Sequence, residues 1–248
     1  MNDNQYGYIL RLYIDALKQS HLLIAGQTGS GKSVIINGII RAALFSAPVN
    51  KQLILIDPKK VELAMYRYFP HTIAYGSDPG KKDRPGDMII ALQKAEIIMD
   101  ERYRQMQAAG RKKYDGGHIY VIIDELADLL DTCKGAAEII ARIGRLGRAA
   151  NVHLIVATQY LGDAIPPQIK RNLSAVIALH TRTAADSRYL IERKGCEQLH
   201  IGECYYIRPT DDEPQKVIIP YDGDEAQAAE VERLRKWWND PEHIIKEE

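Results

Sequence analysis

The sequence predicts an α/β protein whose mainly parallel central sheet is covered by helices on both faces. Short apolar segments alternate along the chain with helical patterns, and this alternation is typical of parallel sheets. The apolar segments are continuous rather than alternating, which indicates strands that are buried on both faces. With 248 residues, of which 46% are hydrophobic, the chain is long enough to bury such a core.

Five apolar segments predict strands because they are rich in β-branched residues or leucine and end at polar or turn residues. They are His21–Ala25, Leu53–Ile56, Ile119–Ile123, His153–Ala157 and Ala175–Leu179. Helical periodicity predicts helices at Lys32–Phe45, Met88–Gln107, Ala136–Arg148 and Ala185–Arg193. The stretch 76–86 is the most loop-like part of the chain.

The pattern changes after Gly202. Cys204–Ile207 and Lys216–Ile219 flank a turn-rich Pro-Thr-Asp-Asp-Glu-Pro segment and predict a β-hairpin, which an amphipathic helix at Glu225–Trp238 follows. We therefore expect one domain over residues 1–248, with a lead-in segment at 1–20 and the hairpin and last helix at 203–248.

Composition excludes several classes of protein. The 33 Lys and Arg balance the 33 Asp and Glu, so the chain is not a polybasic tail. Residues 142–194 nevertheless carry nine Lys or Arg against three acids, which predicts an anionic partner at one site. No apolar run approaches the roughly 20 residues of a membrane helix, and we expect no membrane span of its own. Three cysteines without C-x-x-C spacing predict reduced thiols and a cytoplasmic location.

A complete phosphate-loop motif, G-x-x-x-x-G-K-[ST], follows the first predicted strand and opens the first predicted helix. Its glycines allow a tight backbone turn, and successive N–H groups then point at an anion. We expect Lys32 to reach the β- and γ-phosphates of ATP and Ser33 to hold Mg²⁺. The predicted nucleotide-binding residues are Gly26, Gln27, Thr28, Gly29, Ser30, Gly31, Lys32, Ser33 and Val34.

Two further strands end in polar residues that fit ATP hydrolysis. Asp124 and Glu125 end one strand, where Asp124 is expected beside Mg²⁺ and Glu125 beside the γ-phosphate as the base for water. The doublet favours a hydrolase over a small-molecule kinase, which needs no activated water. Gln159 follows another strand and is expected to sense the γ-phosphate. Two roles stay open for Asp57 and Lys59. Local hydrogen bonding is favoured, and the alternative is a role in the nucleotide site.

These motifs stand in the order found in the FtsK/SpoIIIE family of DNA translocases, which the chain closely resembles. Further similar segments are listed in chain order: His21–Gly26, Ile56–Lys59 with Glu62-Leu63, Glu101–Tyr103 with Met106, Asp124–Leu129, Gly147–Ala150 with His153–Gln159, Asp186–Arg188 and Gly195–Leu199. The resemblance runs from about Asp15 to the last helix, and it implies a RecA-like P-loop ATPase domain.

The resemblance implies an ATP-driven hexameric ring that moves double-stranded DNA through its pore. It also implies active sites between subunits, with an arginine supplied in trans. Arg148 stands at the matching position. The DNA-binding residues implied or suggested by position are Lys170, Arg171, Arg182 and Arg188. Tyr160 and Ala184 depart from the family, which commonly has Arg and Lys at these positions.

Our sequence-based hypothesis is therefore a bare ATPase motor for a mobile element, without anchor or DNA-reading module, that delivers DNA to a membrane-associated channel or a capsid. Two alternatives stay open. One is a motor of the same fold for protein export, and the other is a regulator that binds nucleotide without hydrolysing it.

Overall fold

The computed structural model describes residues 3–81, 84–219, 221 and 223–240. The first two residues of the predicted lead-in segment and residues 241–248 of the predicted C-terminal segment lie outside this description. The strands are β1 His21–Ala25, β2 Lys51–Ile56, β3 Thr72–Gly76, β4 Gly80–Lys81, β5 Arg84–Pro85, β6 His118–Ile123, β7 Val152–Thr158, β8 Ala175–Ala178, β9 Glu203–Ile207 and β10 Gln215–Ile218.

The α-helices are α1 Asp3–Lys18, α2 Lys32–Leu44, α3 Asp87–Ala108, α4 Leu126–Thr132, α5 Ala136–Leu146, α6 Pro167–Lys170, α7 Ala184–Ile191 and α8 Asp224–Asn239. Short 3₁₀ turns connect several elements, at Ala64–Tyr66, Gly147–Ala150, Gly162–Ala164 and Cys196–Gln198. All seven predicted strands, including the two of the hairpin, and all five predicted helices are therefore confirmed, with boundaries that differ by a few residues at most.

The central sheet has eight strands in the order β10-β9-β8-β1-β7-β6-β2-β3. The six strands from β8 to β3 are mutually parallel. β9 pairs antiparallel with β8, and β10 pairs antiparallel with β9, which confirms the predicted hairpin. Because the parallel strands run in one direction, the polar residues that follow β1, β2, β6, β7 and β8 meet at one edge of the sheet.

Helices cover both faces of this sheet, as the continuous apolar strands predict. Leu22, Ile24 and Ile155 face a core cluster that also contains buried residues of α1, α2 and α8. Leu23 and Ile54 face the opposite cluster, which contains buried residues of α3, α5 and α7. Alternate residues of one strand thus enter different cores, since successive side chains of a strand point to opposite faces.

The lead-in segment is a helix, which the sequence analysis did not predict. Leu12, Ala16 and Leu17 of α1 are buried in the core cluster shared with α2. The Tyr120 hydroxyl donates a hydrogen bond to the Leu17 carbonyl at 3.0 Å, which ties α1 to the middle of the sheet. Edge strand β3 was also missed, because four of its five residues are only partly buried and it lacks a continuous apolar run.

Two histidines form a buried stack near the amino ends of β6 and β7. His153 donates from Nδ1 to the Ser20 carbonyl at 3.0 Å, so its Nε2 accepts from His118 Nδ1 at 2.9 Å. The ring centroids lie 5.1 Å apart. Burial, with the neighbouring His118, lowers the pKa of His153 to about 4. The fold therefore holds His153 neutral.

This stack predicts a loss of stability in mild acid. The folded-state pKa of His153 lies below its unfolded value of 6.5, so protons favour the unfolded chain between these two values. The contribution is complete above pH 6.5 and is lost as the pH falls toward 4, by at most about 1.4 kcal/mol per pH unit. In urea unfolding between pH 7.5 and 5, His153→Gln should show a shallower pH dependence, whereas His200→Gln, at an exposed position, should match the wild type. Equal slopes for His153→Gln and the wild type would contradict this assignment.

Candidate nucleotide site

The predicted phosphate loop connects β1 to α2 at the carboxyl edge of the sheet. Gly29 and Gly31 have φ angles of 77° and 103°, which side-chain-bearing residues rarely adopt. At Gly26 the constraint is packing, because an added Cβ would lie 2.7 Å from the Leu179 Cβ atom. The Gln27 N–H donates to the His180 carbonyl at 2.9 Å, so the loop is also attached to the segment after β8.

Lys32, the first residue of α2, turns its ammonium group back over the loop. Nζ donates to the carbonyl oxygens of Gly26 at 2.7 Å and Gln27 at 3.0 Å. Burial lowers the pKa of Lys32, while the nearby carboxylates of Glu125 and Asp124 oppose this shift. A half-buried cation held at the start of a helix, where free N–H groups collect, creates a positive site suited to a phosphate.

Two further observations show that the loop fits an anion. The Ser30 hydroxyl is buried, and among the residues that the structure describes it has no hydrogen-bond partner. α2 begins at Lys32, directly after its N-cap Gly31, and no side chain caps its first amides. Buried polar groups without partners are costly, so a phosphate that accepts from such donors would stabilise this loop.

Glu125, at the end of β6, is held in place by the neighbouring end of β7. The Thr158 hydroxyl donates to its Oε1 at 2.7 Å, and the Gln159 N–H lies 3.3 Å from Oε1 and 3.2 Å from Oε2. Burial raises the pKa of Glu125, although these two donors act in the opposite direction. A desolvated carboxylate in a fixed orientation is suited to accept a proton from water.

Asp124 lies in a cluster of acids. Burial, followed by the carboxylates of Glu62 and Asp57, raises its pKa to about 7. Such a cluster is electrostatically unfavourable without a cation, so it fits Mg²⁺, which prefers oxygen ligands. Asp124 and Ser33 are the residues that would hold the ion, which would supply positive charge to offset that of the phosphates.

Asp57 and Lys59, for both of which the sequence left two roles open, differ in what they contact. The Asp57 carboxylate accepts from the N–H groups of Leu63 at 3.0 Å and Val61 at 3.4 Å, which is local hydrogen bonding. Lys59 instead places Nζ 3.8 Å from Glu125 and 3.6 Å from Asp128. Lys59 is thus a second cation beside the carboxylates, and the site role that the sequence analysis left open for it stays a prediction.

One cavity of about 450 Å³ brings most of these groups together. Its lining consists of Thr28, Gly29, Gly31, Lys32, Ser33, Lys59, Val61, Glu62, Asp124, Glu125 and Gln159. The Thr28 hydroxyl donates to the Gln159 side-chain oxygen and closes one side. Gln27 lines a separate cleft beside Tyr160, and Val34 packs against the core. Of the predicted nucleotide-binding residues, Gly26, Gln27, Ser30 and Val34 do not line the cavity.

The sequence analysis did not predict Thr158 or Glu62 as site residues. Thr158 shares its strand end with the predicted Gln159, and Glu62 lies only six residues after the end of β2. Their position after strand ends was the available signal. What the sequence lacked was the strand order, in which β6 lies between β2 and β7.

Arg148 lies at the opposite edge of the sheet from the cavity. It is exposed in the 3₁₀ turn Gly147–Ala150, directly before the amino end of β7. The pairing of β1 with β7 places Ala25, and hence the phosphate loop, beside Thr158 at the other end of that strand. Seven strand residues span roughly 20 Å, a distance that an arginine side chain cannot bridge. Arg148 therefore cannot reach the cavity of its own chain.

Three of the four predicted DNA-binding residues lie on or directly after α6 and α7, which pack on the same sheet face, and Arg182 lies in the loop before α7. Arg182 lies beyond the carboxyl end of β8 and lines the cleft of about 380 Å³ beside Tyr160. Arg188 is exposed on α7, and Arg171 is exposed after α6. Lys170 is different, because its Nζ donates to the Tyr189 carbonyl at 2.6 Å and lies 3.4 Å from the centroid of that ring. Burial lowers the pKa of Lys170.

Two predictions from composition can be compared with the described residues. Among them, no helix is long and apolar enough to cross a membrane. Cys133, Cys196 and Cys204 are buried, and none of them forms a disulfide.

A strand–loop–helix motif at the carboxyl edge of a parallel sheet, next to an acidic strand end, defines the class of P-loop ATPases. A model of the FtsK/SpoIIIE family matches residues 10–120 and 116–163, which is more than half of the sequence. The chain belongs to the FtsK/SpoIIIE family, as the motifs predicted.

Two curated relatives have similar sequences. The DNA translocase FtsK of Oceanobacillus iheyensis is 36% identical over 241 residues, which cover 88% of this chain and 30% of the relative. The DNA translocase SpoIIIE of Bacillus subtilis is 37% identical over 205 residues, covering 73% of this chain and 25% of the relative. The chain thus spans about 30% or less of the length of these relatives.

Solved structures share the fold at lower identity. The conjugation coupling protein TcpA of pCW3, in its monomer form with ATPγS, has a TM-score of 0.68 and 22% identity, covering 89% of this chain and 66% of that one. ATPases 2 and 3 of EssC from Geobacillus thermodenitrificans have a TM-score of 0.75 and 18% identity. The match covers 93% of this chain and 46% of that one. At these identities the similarity shows the fold alone, and it confirms the predicted P-loop ATPase architecture.

Proposed function

We propose that this chain is an ATP-hydrolysing motor that binds and translocates double-stranded DNA as a ring of identical subunits. One observation carries the proposal. A phosphate loop, the buried Asp124 with the half-buried Glu62, and the restrained Glu125 line one cavity in a member of the FtsK/SpoIIIE family. The names of the relatives, DNA translocases, supply the substrate that we propose for this chain.

Each side chain of the cavity has a separate task in this proposal. Lys32 neutralises phosphate charge, while Ser33 and Asp124 hold Mg²⁺. Glu125 orients a water molecule and takes its proton. Gln159 is bonded to Thr28 of the phosphate loop through its side chain and to Glu125 through its N–H. It therefore connects the phosphate contacts to the base, as a sensor of the γ-phosphate should.

The position of Arg148 is the reason for proposing a ring. If this arginine stabilises the charge that develops on the transferred phosphoryl group, a second subunit must supply it, because its own cavity is too distant. In a closed ring every subunit would supply one arginine and receive another. A hexamer is the form that the family resemblance implies.

For DNA we propose contacts from Lys170, Arg171, Arg182 and Arg188 with backbone phosphates. Arg171, after α6, Arg182, before α7, and Arg188, on α7, are exposed. Lys170 would first have to leave its contact with Tyr189. A role in a mobile element, a channel or capsid as docking partner, and a cytoplasmic location stay predictions from the sequence.

DNA-dependent hydrolysis tests this proposal. Duplex DNA should stimulate phosphate release by the wild type, and native mass should show a ring. Combined Lys170→Gln, Arg171→Gln and Arg188→Gln substitutions should weaken DNA binding, and the slope of log affinity against log salt should shrink by about 0.9 per lost phosphate contact. Hydrolysis without DNA should persist.

The matched control removes three exposed charges from the opposite side of the molecule, with Arg67→Gln, Arg233→Gln and Lys236→Gln. These substitutions should leave the salt slope unchanged. If duplex DNA neither binds nor stimulates the wild type while ATP is hydrolysed, the DNA motor is excluded and the protein-export motor takes its place. If ATP binds without turnover, the chain is a regulator.

A further inference from the structure

Arg102 is a buried arginine in the second half of α3. Its hydrogen-bond acceptors lie in, or directly after, the turn that carries Arg148. Its side chain is 7% exposed. Nη1 donates to the Ala150 carbonyl at 2.8 Å and to the Asn151 carbonyl at 3.1 Å. The guanidinium lies over the Tyr114 ring, 4.4 Å from its centroid. The Glu-Arg-Tyr motif of α3 thus reaches the segment between α5 and β7.

The neighbouring Tyr103 holds the other side of the same turn. Its hydroxyl donates to the Leu146 carbonyl at 2.9 Å. The Tyr114 N–H donates to the Ala149 carbonyl at 2.9 Å, and this is also the tyrosine on which the Arg102 guanidinium lies. The carbonyl groups before and after Arg148 are therefore fixed from outside the turn.

The turn needs such support because of its local conformation. Gly147–Ala150 forms a 3₁₀ turn, in which hydrogen-bond geometry is poorer than in an α-helix. The next residue, Asn151, has a left-handed φ of 52°. Its side chain donates to the Gly116 carbonyl at 2.9 Å. The backbone around Arg148 is thus held by side chains distant in sequence.

We propose that Arg102 and Tyr103 are positioning residues for Arg148, and this rests on the proposed function of Arg148 as an arginine supplied in trans. Such an arginine acts only if its guanidinium meets the neighbouring subunit's phosphate in a defined place. A displacement of about 1 Å can cost roughly 10²-fold in rate. Arginine suits this position since one nitrogen, Nη1, bonds both carbonyls while the planar guanidinium stacks on an aromatic ring, and a lysine ammonium has no such planar face.

The test uses complementation between chains in mixed rings. Arg102→Gln should bind ATP with unchanged affinity and hydrolyse it about 10²-fold more slowly. Mixed with Lys32→Ala, it should regain hydrolysis, because an intact cavity then faces a correctly held Arg148. Mixed with Arg148→Ala, it should stay slow, because both chains lack a working trans arginine. Native mass spectrometry checks that mixed rings form.

One control variant and two further variants test whether Arg102→Gln only disturbs folding. Arg142→Gln removes a different arginine contact between α3 and α5, with Glu96 and Asp100, and should leave hydrolysis unchanged. Arg102→Lys keeps the charge but should stay slow. If Arg102→Gln does not fold, Tyr103→Phe removes one hydroxyl from the same turn and should show the same pattern of complementation, with a smaller loss.

The opposite pattern would overturn the inference. If Arg102→Gln regains hydrolysis when mixed with Arg148→Ala but not with Lys32→Ala, Arg102 serves the cavity of its own chain. If it regains hydrolysis in neither mixture, its role is purely structural. Normal hydrolysis by Arg102→Gln and Tyr103→Phe, with Arg148→Ala inactive, would refute positioning and leave the proposed function intact. Normal hydrolysis by Arg148→Ala would refute the trans arginine itself.

Discussion

Glu125→Gln is expected to bind ATP as tightly as the wild type and to hydrolyse it about 10²–10⁴-fold more slowly, the usual contribution of a general base. Glutamine keeps an oxygen that can accept from the Thr158 hydroxyl, which lies 2.7 Å from Glu125 in the wild type. It cannot take a proton from water. Binding of a fluorescent ATP analogue and phosphate release, measured on the same preparation, separate the two effects.

Two further variants are compared with Glu125→Gln. Lys32→Ala should lose ATP binding, because it removes the cation that lies over the phosphate loop. Asp128→Asn is the matched control for charge, since it removes the other carboxylate near Lys59 and should hydrolyse ATP at nearly the wild-type rate. Wild-type turnover by Glu125→Gln would remove the general-base assignment.

Arg148→Ala should also bind ATP and be almost inactive, for a different reason. A trans arginine typically contributes about 10³–10⁵ in rate by stabilising charge on the transferred phosphoryl group. Arg148 lies at the amino edge of the sheet, so an active site that uses this arginine would need two chains. One chain would supply the cavity with Lys32 and Glu125, and its neighbour would supply Arg148.

Mixed rings of Arg148→Ala and Lys32→Ala should therefore recover measurable hydrolysis, because some interfaces combine an intact cavity with an intact arginine. A chain with both substitutions should rescue nothing when mixed with either. Near-normal hydrolysis by Arg148→Ala alone would exclude it as the arginine supplied in trans, and Arg145, exposed in the last turn of α5, would be tested next. Inactive mixtures with demonstrated mixed rings would argue against supply in trans or for strict coupling around the ring.

The nucleotide cavity was largely predictable because its parts are short motifs at strand ends. The phosphate loop needs eight consecutive residues, and the acidic pair needs only the end of β6. Parallel strands bring their carboxyl ends to one edge, so Lys32, Asp124 and Gln159 could be expected to meet without knowledge of the strand order. The same reasoning leaves out Thr158 and does not decide the role of Lys59, because both roles depend on which strands are neighbours.

The basic stretch from 142 to 194 shows the limit of counting charges along the chain. The sequence treats its cations alike, but Arg142 is paired with Glu96 and Asp100 of α3. Lys170 is bound to Tyr189, whereas Arg182 and Arg188 are exposed. Charge is a property of composition, but its availability to a partner depends on what packs against each side chain.

The amino-acid sequence by itself determined the class of fold, the family and the loop that would bind phosphate, because apolar periodicity and contiguous motifs are local properties. Tertiary structure decided that α1 belongs to the core, that Lys59 faces the carboxylates, and that Arg102 supports the turn of Arg148. It also placed Arg148 roughly 20 Å from its own cavity, at the far end of a seven-residue strand. Such relations depend on strand order and direction, which long-range packing sets and no single segment contains.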